Sequence, residues 1–481
     1  MKKEKVATAD VQNIAIAIHS VHITERQWNS KTTGAGKPAF FKGLEMQEQS
    51  LFDFPTFQID KKIRLIELFG GIGSQAMALR DLGVDFETYK LVEFDKYAIK
   101  SYNKIHDTNF PILDIRNVRG VDLEIRERER YCYILTYSFP CTDLSVAGKM
   151  KGMSKEDWKN GQSTRSGLLW EVERIINELP KEELPDVLLM ENVPQVHAEK
   201  NEAEFDSWLE FLRGKGYQSF TRDLNAKDFG IPQNRDRCFC VSLLSDDFID
   251  FQFPEEIELE YVMRDFLEEE VAEKYIMRLQ KAKDLIKKLE EVGIIKTQKI
   301  RAKRKDVIVI GEMDNSEDGS FDIVNRIYDK NGISPTINTC AGGNLQPKII
   351  EETKCVGGLS EQKWGNSQYH QQHRVYKGDI ALAQPAQLPK GSYNYLLNNG
   401  KEYNIRKLTP KECYRLMGYH DTDYDRAGSI NSGTQLYKQA GNAIVKQVLM
   451  AIFLQLGIQG KKKWNDMTAE EKQALIKNSI L

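Results

Sequence analysis

The sequence predicts an α/β protein with a mostly parallel sheet covered on both faces and a second region of different character. Three observations carry this. Apolar runs of strand length (IRLIELF, YKLVEF, YCYILTYSF, DVLLMENV and RCFCVSLL) recur from Ile63 onward. Helical or loop segments separate them, the alternation that builds a doubly covered parallel sheet. After Pro254 the composition shifts, so this pattern ends there.

In chain order, residues 1–60 lack clear periodicity and form an extension of unassigned role, with SKTTGAGKPAFFKG reading as a loop. IRLIELF is the first strand, GGIGS a turn, and QAMALRDL a helix that Gly83 stops as a C-terminal cap. YKLVEF is the next strand and DKYAIKSYNKI the next helix, and this pattern fills residues 61–254. The piece beginning PEEIELEYVMRDF is charged and reads as helical. It runs into KTQKIRAKRKD, where Lys299, Arg301, Lys303, Arg304 and Lys305 crowd together. Residues 306–400 are rich in glycine, asparagine and glutamine, with short β-like runs such as DVIVIG. Helical order returns in LTPKECYRLMGY, with Thr409 as N-cap, Pro410 at the first helical position, Glu412 completing a capping box and Gly418 as the stop. An apolar helix starts near AGNAIVKQVLMAIFLQLG, and residues 461–481 read as a polar tail.

The totals narrow the classes. A chain of 481 residues holds two or three domains. A net charge of -3 confines any nucleic-acid surface to a local patch. Seven scattered cysteines argue against a disulfide framework and for a reducing compartment. Cys238 and Cys240 form a C-x-C with no second pair, so no metal site is expected. No apolar stretch reaches the length of about 18 residues that a membrane span needs, and a cytoplasmic protein is expected.

Three constellations carry chemistry. Gly71-Ile-Gly73-x-x-Ala76 fits the dinucleotide pattern, with Glu93 ending the next strand about 20 residues on. A carboxylate there accepts from ribose hydroxyls, so the motif points to an adenosine-containing cofactor without saying which. Cys141 follows the strand YCYILTYSF and Glu191 follows DVLLM, so both belong to the carboxyl rim of the sheet, where ligands bind. In GIPQNRDRCFC, Gln233, Arg235 and Arg237 alternate and project to one side as a strand begins. Two guanidiniums there suit anions or carbonyl acceptors.

The ordered set FGGIG, SFPC, TRSGLLWE, MENV, QNRDR, RKLTPKECYRLMGY and YKQAGNAIV resembles the DNA cytosine-5 methyltransferases. Seven blocks in the family's order cover roughly residues 63–245 and 403–457. The resemblance implies a Rossmann-like, S-adenosylmethionine-dependent methyltransferase sheet over 61–254, a smaller target-recognition domain over 255–402, and C-terminal motifs over 403–460 that return to the core. It implies S-adenosylmethionine as cofactor, double-stranded DNA as partner and a flipped-out cytosine as target. Cys141 would add to C6 of the ring, making C5 nucleophilic. Glu191 would serve N3, and Arg237 with Arg235 would support O2 and raise the thiolate fraction. Phe69, Gly71, Ile72, Gly73, Glu93, Asp114, Pro140 and Asn442 would line the cofactor. Thr142 stands where the family usually has glutamine, and no residue is an evident base for the C5 proton.

A monomer of prokaryotic or phage origin is expected, with any cognate restriction endonuclease acting without contact. Three other classes fit less well. A tRNA cytosine-5 methyltransferase would carry a Cys-Phe-Thr block, absent here. An inactive DNA-binding homologue would have lost Cys141, Glu191 or the arginines. A nicotinamide oxidoreductase leaves SFPC and MENV unexplained.

Overall fold

The short apolar runs become strands whose register aligns their carboxyl ends. The computed structural model describes residues 57–141, 143–144, 152–162, 164–293, 305–314, 322–339, 345–352 and 403–480, with the backbone of two short strands between the last two segments. Thr142 and four of the five clustered cations, Lys299, Arg301, Lys303 and Arg304, lie outside the described residues. The fifth, Lys305, pairs with Glu258 at 3.1 Å. Residues Phe54–Leu481 form one compact unit.

The main sheet contains β1 (Lys62–Leu68), β2 (Phe86–Val92), β3 (Tyr131–Tyr137), β4 (Val187–Asn192), β5 (Tyr217–Asn225) and β6 (Asp236–Leu244). Its order is β2-β1-β3-β4-β6-β5. The first four strands are parallel, and β6 runs antiparallel to both β4 and β5. Leu68 pairs with Val92 on one side and Tyr137 on the other, and Tyr137 pairs with Met190. Everything that leaves these strands therefore emerges on one rim. The reversal of β6 brings its beginning to the same rim, with Asn192 opposite Cys238.

Each face of the sheet is closed by helices, as continuous apolar strands require. On one face α1 (Ser74–Asp81) and, far along the chain, α9 (Lys446–Gln455) bury Ala76–Leu79 and Val448–Leu454 against Ile63, Leu65, Ile134 and Val241. On the other face α3 (Leu169–Glu178) and α4 (Glu202–Gly214) bring Trp170 and Trp208, both fully buried, onto Ile66, Leu135, Leu188 and Met190. The helix DKYAIKSYNKI forms as α2 (Lys96–His106), capped by Asp95, which accepts from Tyr97 N at 2.8 Å.

The segment after Pro254 departs from its expected helical form. Leu259, Val262, Met263 and Phe266 are buried, the last two in the first core, and only short 3-10 turns occur before α5 (Gln280–Glu291). Burial of these side chains, spaced irregularly for a helix, holds the chain extended. A four-stranded sheet follows, formed by β7 (Val309–Glu312), β8 (Arg326–Tyr328), β9 (Lys348–Glu352) and β12 (Tyr403–Lys407), in the order β12-β9-β8-β7. It packs on α5 through Leu285, Leu289, Ile327, Ile350 and Ile405. Two further strands, β10 (Val375–Tyr376) and β11 (Tyr395–Leu396), pair in parallel.

The capping box read at residues 409–412 is present. Thr409 Oγ1 accepts from Glu412 N at 3.1 Å, and Glu412 accepts from Thr409 N at 2.7 Å, opening α6 (Pro410–Arg415). The apolar helix expected near AGNAIV is instead two helices. α8 (Gly433–Asn442) ends at Asn442, and Ala443 is extended before α9 begins. The tail is ordered too. Trp464 is fully buried, and α10 (Ala469–Ile480) places Ile476 against Gly230, whose absent Cβ would lie 2.6 Å from it.

Buried Arg406 on β12 donates to Glu351 at 2.6 Å and to Glu412 at 2.8 Å, joining the small sheet to α6. Glu412 is wholly buried, so losing its cation leaves a bare charge in low dielectric. Arg406→Ala is expected to cost about 3–5 kcal/mol in denaturant unfolding. Arg406→Met with Glu412→Leu should recover most of that loss. A single variant as stable as the wild type would refute the pairing's structural weight.

Candidate functional site

The glycine turn after β1 is shaped by what lies beneath it. Phe69, Gly71 and Gly73 all have positive φ, of 58°, 57° and 84°. A Cβ on Gly73 would sit 2.3 Å from His106 Nε2 and 2.7 Å from the Tyr102 ring, so only glycine fits. A Cβ on Gly71 would meet nothing within 4 Å, because that side of the turn is open. Under the turn, Glu67 is fully buried and accepts from the Tyr102 hydroxyl. Burial pushes its carboxyl up to about 8, so it is mostly protonated at neutral pH.

Glu93 leaves β2 beside this turn. Its Oε2 accepts from Gly71 N at 3.0 Å, and its Oε1 accepts from Phe94 N at 2.8 Å and Asp95 N at 2.7 Å. Burial raises its pKa, and the three amides oppose that rise. Leu113 N donates to Glu93 O at 2.9 Å, which draws the next connection alongside. Phe94, at 69% exposure, follows Glu93 directly, and Ile112 and Leu113 are likewise exposed. Asp114 follows, capping a 3-10 turn, with its pKa lowered by its pair with Arg116. Ile72 is buried under the turn.

The loop after β3 carries the thiol. Phe139 O accepts from Asn192 Nδ2 at 2.9 Å, and Pro140 O accepts from Ser166 Oγ at 2.7 Å. Beyond the half-buried Cys141, the Asp143 carboxylate accepts from Arg165 N at 2.8 Å. Desolvation is the largest influence on Cys141 and pushes its thiol up. Arg237 and then Arg235 pull it down, while Glu191 pushes it further up. Both arginines act in the expected direction, toward thiolate, but burial outweighs them and the net shift is upward.

Glu191, buried on β4, pairs with Arg237 on β6, Nε to Oε1 at 3.1 Å. Arg237 also donates to Asp236 O at 2.7 Å. Arg235 turns elsewhere. It donates to Ile337 O at 2.9 Å, Gly441 O at 2.8 Å and Ala443 O at 2.7 Å. Burial lowers its pKa to about 9, which still leaves it cationic at neutral pH. Fully buried Gln233 donates to Leu416 O at 2.7 Å and accepts from Ile337 N at 3.1 Å. Gly441 is pressed by the backbone of Asn338 and Thr339, where a Cβ would lie 2.3–2.4 Å away.

The extended residues after α8 close the site from the far end of the chain. Ile444 N donates to Ser74 Oγ at 3.3 Å, and the Tyr419 hydroxyl lies 2.7 Å from Ser74 Oγ while donating to Ile444 O at 3.0 Å. Asn442 is exposed at the end of α8. The fold thus sets Phe69, Gly71, Ile72, Gly73, Glu93 and Asp114 around the first two strand ends. Pro140, Cys141, Glu191 and Arg237 gather around the next ones. Sequence reasoning missed Asn192, Ser166, Tyr419 and Phe94, although each lies inside or beside a block it had singled out.

An open glycine turn beside an acceptor carboxylate thus shares one rim of an α/β sheet with a thiol and a carboxylate–guanidinium pair. The family profile for C-5 cytosine-specific DNA methylase matches residues 63–457. The chain belongs to that family and is a DNA cytosine-5 methyltransferase. It is 29% identical over 454 residues to orphan methyltransferase M.SPBetaI of Bacillus phage SPbeta, covering 82% of this chain and 97% of that protein. It is 28% identical over 401 residues to type II methyltransferase M.HhaI of Haemophilus parahaemolyticus, covering 82% and 94%. In fold it is similar to the Entamoeba histolytica methyltransferase EhMeth, with a TM-score of 0.52, 17% identity, and coverage of 82% and 98%. The family is S-adenosylmethionine-dependent in general. Among the described residues no helix is long and apolar enough to cross a membrane.

The raised Cys141 thiol has a consequence for reactivity. Alkylation by iodoacetamide, mapped to the Cys141 peptide, should keep accelerating as pH rises through about 8.5, the midpoint of a free cysteine. A rate that levels off below that pH would show that the arginines outweigh burial.

Proposed function

We propose that the protein transfers a methyl group to C5 of a cytosine flipped out of a specific duplex DNA sequence, through a covalent bond between Cys141 and C6. The observation that carries this reading is the gathering of Cys141, the Glu191–Arg237 pair and the Glu93-anchored turn on one rim. S-adenosylmethionine fits the first half of that rim. Glu93 keeps acceptor capacity for ribose hydroxyls, Gly71 leaves open room, and Phe94, Ile112 and Leu113 offer apolar area to a purine. Asp114 would meet the adenine amine, and Asn442 and Pro140 would lie toward the methionine portion. When bound, this cofactor supplies an electrophilic methyl group on a sulfonium.

The chain's own residues do the rest. Cys141 gives its thiol proton to water, and the resulting thiolate adds to C6, breaking the C5–C6 π bond and moving its electrons toward C5 and N3. Arg237, the largest favourable charge at the sulfur, stabilises the thiolate against burial. Glu191 hydrogen-bonds or protonates N3, and Arg237, already in contact with Glu191, supports O2. Arg235 acts by holding the segments around Ile337 and Gly441 in place. After methyl transfer the C5 proton leaves to water, the ring electrons return and the C6–S bond breaks. Extruding the base costs about a few kcal/mol, which contacts in the site offset.

Residues 255–402 are proposed as the target-recognition domain. Support comes from the small sheet, three of whose four strands lie in this range while β12 lies just beyond it, and from its docking: Asn234 N donates to Ser334 O at 2.8 Å, and Ser334 N donates to Pro232 O at 2.8 Å. Replacing 255–402 with the matching segment of a relative should transfer that relative's methylation site, read by bisulfite sequencing. An active chimera that kept the original pattern would remove the assignment.

Glu93→Ala should weaken S-adenosylmethionine by about 1.5–3 kcal/mol, the worth of hydrogen bonds to a charged acceptor. Unchanged affinity by calorimetry in a folded variant would take Glu93 out of the site. The mechanism itself is tested with 5-fluorocytosine in the target duplex, where release of the adduct is blocked. Wild-type protein with S-adenosylmethionine should give a complex that survives denaturing electrophoresis, and Cys141→Ala should give none. An adduct mapped to Cys132, Cys238 or Cys240, or normal methylation by Cys141→Ala, would overturn it.

A further inference from the structure

Behind the Glu191–Arg237 pair, three potential ligand atoms of different chemistry converge on a spot that the transfer reaction does not use. His197 ends the turn Pro194–His197 that follows β4, Asp223 lies on β5 and Cys238 on β6. The register explains the meeting. Asp223 and Cys238 are direct cross-strand partners, so their side chains share a face, and the turn folds His197 over them. His197 Nε2 lies 3.0 and 3.1 Å from the two oxygens of Asp223. Cys238 is fully buried beneath, and the three ligand atoms all lie within 4.8 Å of one another.

We propose that His197, Asp223 and Cys238 bind a thiophilic divalent cation of the zinc class. An imidazole nitrogen, a thiolate sulfur and a carboxylate oxygen form the mixed donor set that zinc accepts and that magnesium and calcium, which take oxygen ligands, do not. His197 and Asp223 are 39% and 35% exposed, so a path from solvent reaches the spot and a fourth position stays open to water. The C-x-C at Cys238 and Cys240 gave no hint of this, because the ligands come from three separate elements.

Balance is simple. The cation would take the place of the hydrogen bond that now joins His197 Nε2 to Asp223. Cys238 loses its thiol proton to solvent as the sulfur–metal bond forms. His197 would bind through Nε2, the ring proton then residing on Nδ1. Burial and the neighbouring Asp223 carboxylate push the Cys238 thiol well up, so without a cation it stays protonated and inert. An ion here would tie together the turn after β4, β5 and β6, the segments that deliver Glu191 and Arg237 to the opposite side of the same strands.

The test is a cobalt titration of chelator-treated, full-length protein. Expected is thiolate-to-cobalt charge-transfer absorption that saturates at a single equivalent, is displaced by zinc and is untouched by excess magnesium. Cys238→Ser should abolish the band, and Cys141→Ser should leave it intact. Because His197 is exposed, His197→Ala should fold normally and weaken cobalt by more than the roughly 10–100-fold that loss of a partner to a ligand costs. No charge-transfer band, a band lost in Cys141→Ser, or unchanged cobalt affinity in His197→Ala would each overturn the proposal.

Discussion

The guanidinium of Arg235 bonds to three carbonyls that lie 102, 206 and 208 residues further along the chain. A buried cation must find acceptors, and here backbone oxygens rather than a carboxylate meet the need. Ile337 is thereby fixed above the β6 entry, and the break between α8 and α9 is fixed below it. That break frees Ile444 N for Ser74 and leaves Asn442 outside the helix-to-helix packing. Gln233 repeats the pattern one step earlier by bonding Ile337 and Leu416. The entry to β6, the segment at Ile337 and the break between α8 and α9 meet because this polar cluster holds them.

Carboxylates on the rim show how position, not residue type, sets behaviour. Glu67 has a tyrosine for company and no cation, so burial keeps it largely neutral. Glu93 is held by three backbone amides, the donors least able to move. Glu191 has Arg237 against it. These side chains stand near the same rim, yet each meets different neighbours: a tyrosine hydroxyl, three backbone amides, a guanidinium.

Much of this was legible in the sequence because it is local. Strand lengths, the glycine turn, the helix stops and the Thr409–Glu412 box depend on residues a few positions apart. The spacing of Cys141 and Glu191 after their strands placed both on the rim. What stayed hidden depends on distant partners. Alternation of Arg235 and Arg237 revealed a shared direction but not that one meets Glu191 and the other three carbonyls. The polar look of residues 461–481 concealed a helix, because only Ile476 and a few neighbours anchor it and Lys446 Nζ meets Ser479 O at 2.8 Å. The helical look of the residues after Pro254 yielded to burial of Met263 and Phe266 in the first core.

Ser74 and Ile444 stand 370 residues apart, and their hydrogen bond has a bearing on how the molecule is made. Synthesis runs at about 5–20 residues per second, and domains tend to fold as they emerge. The glycine turn thus leaves the ribosome long before the strand of residues that closes it. Until then its serine faces water, and the groove left for α9 along α1 stays uncovered. A nascent or truncated chain carries every residue of the first four strand ends and still has no finished pocket. Emergence of the segment around Ile444 is thus a late step in building the site.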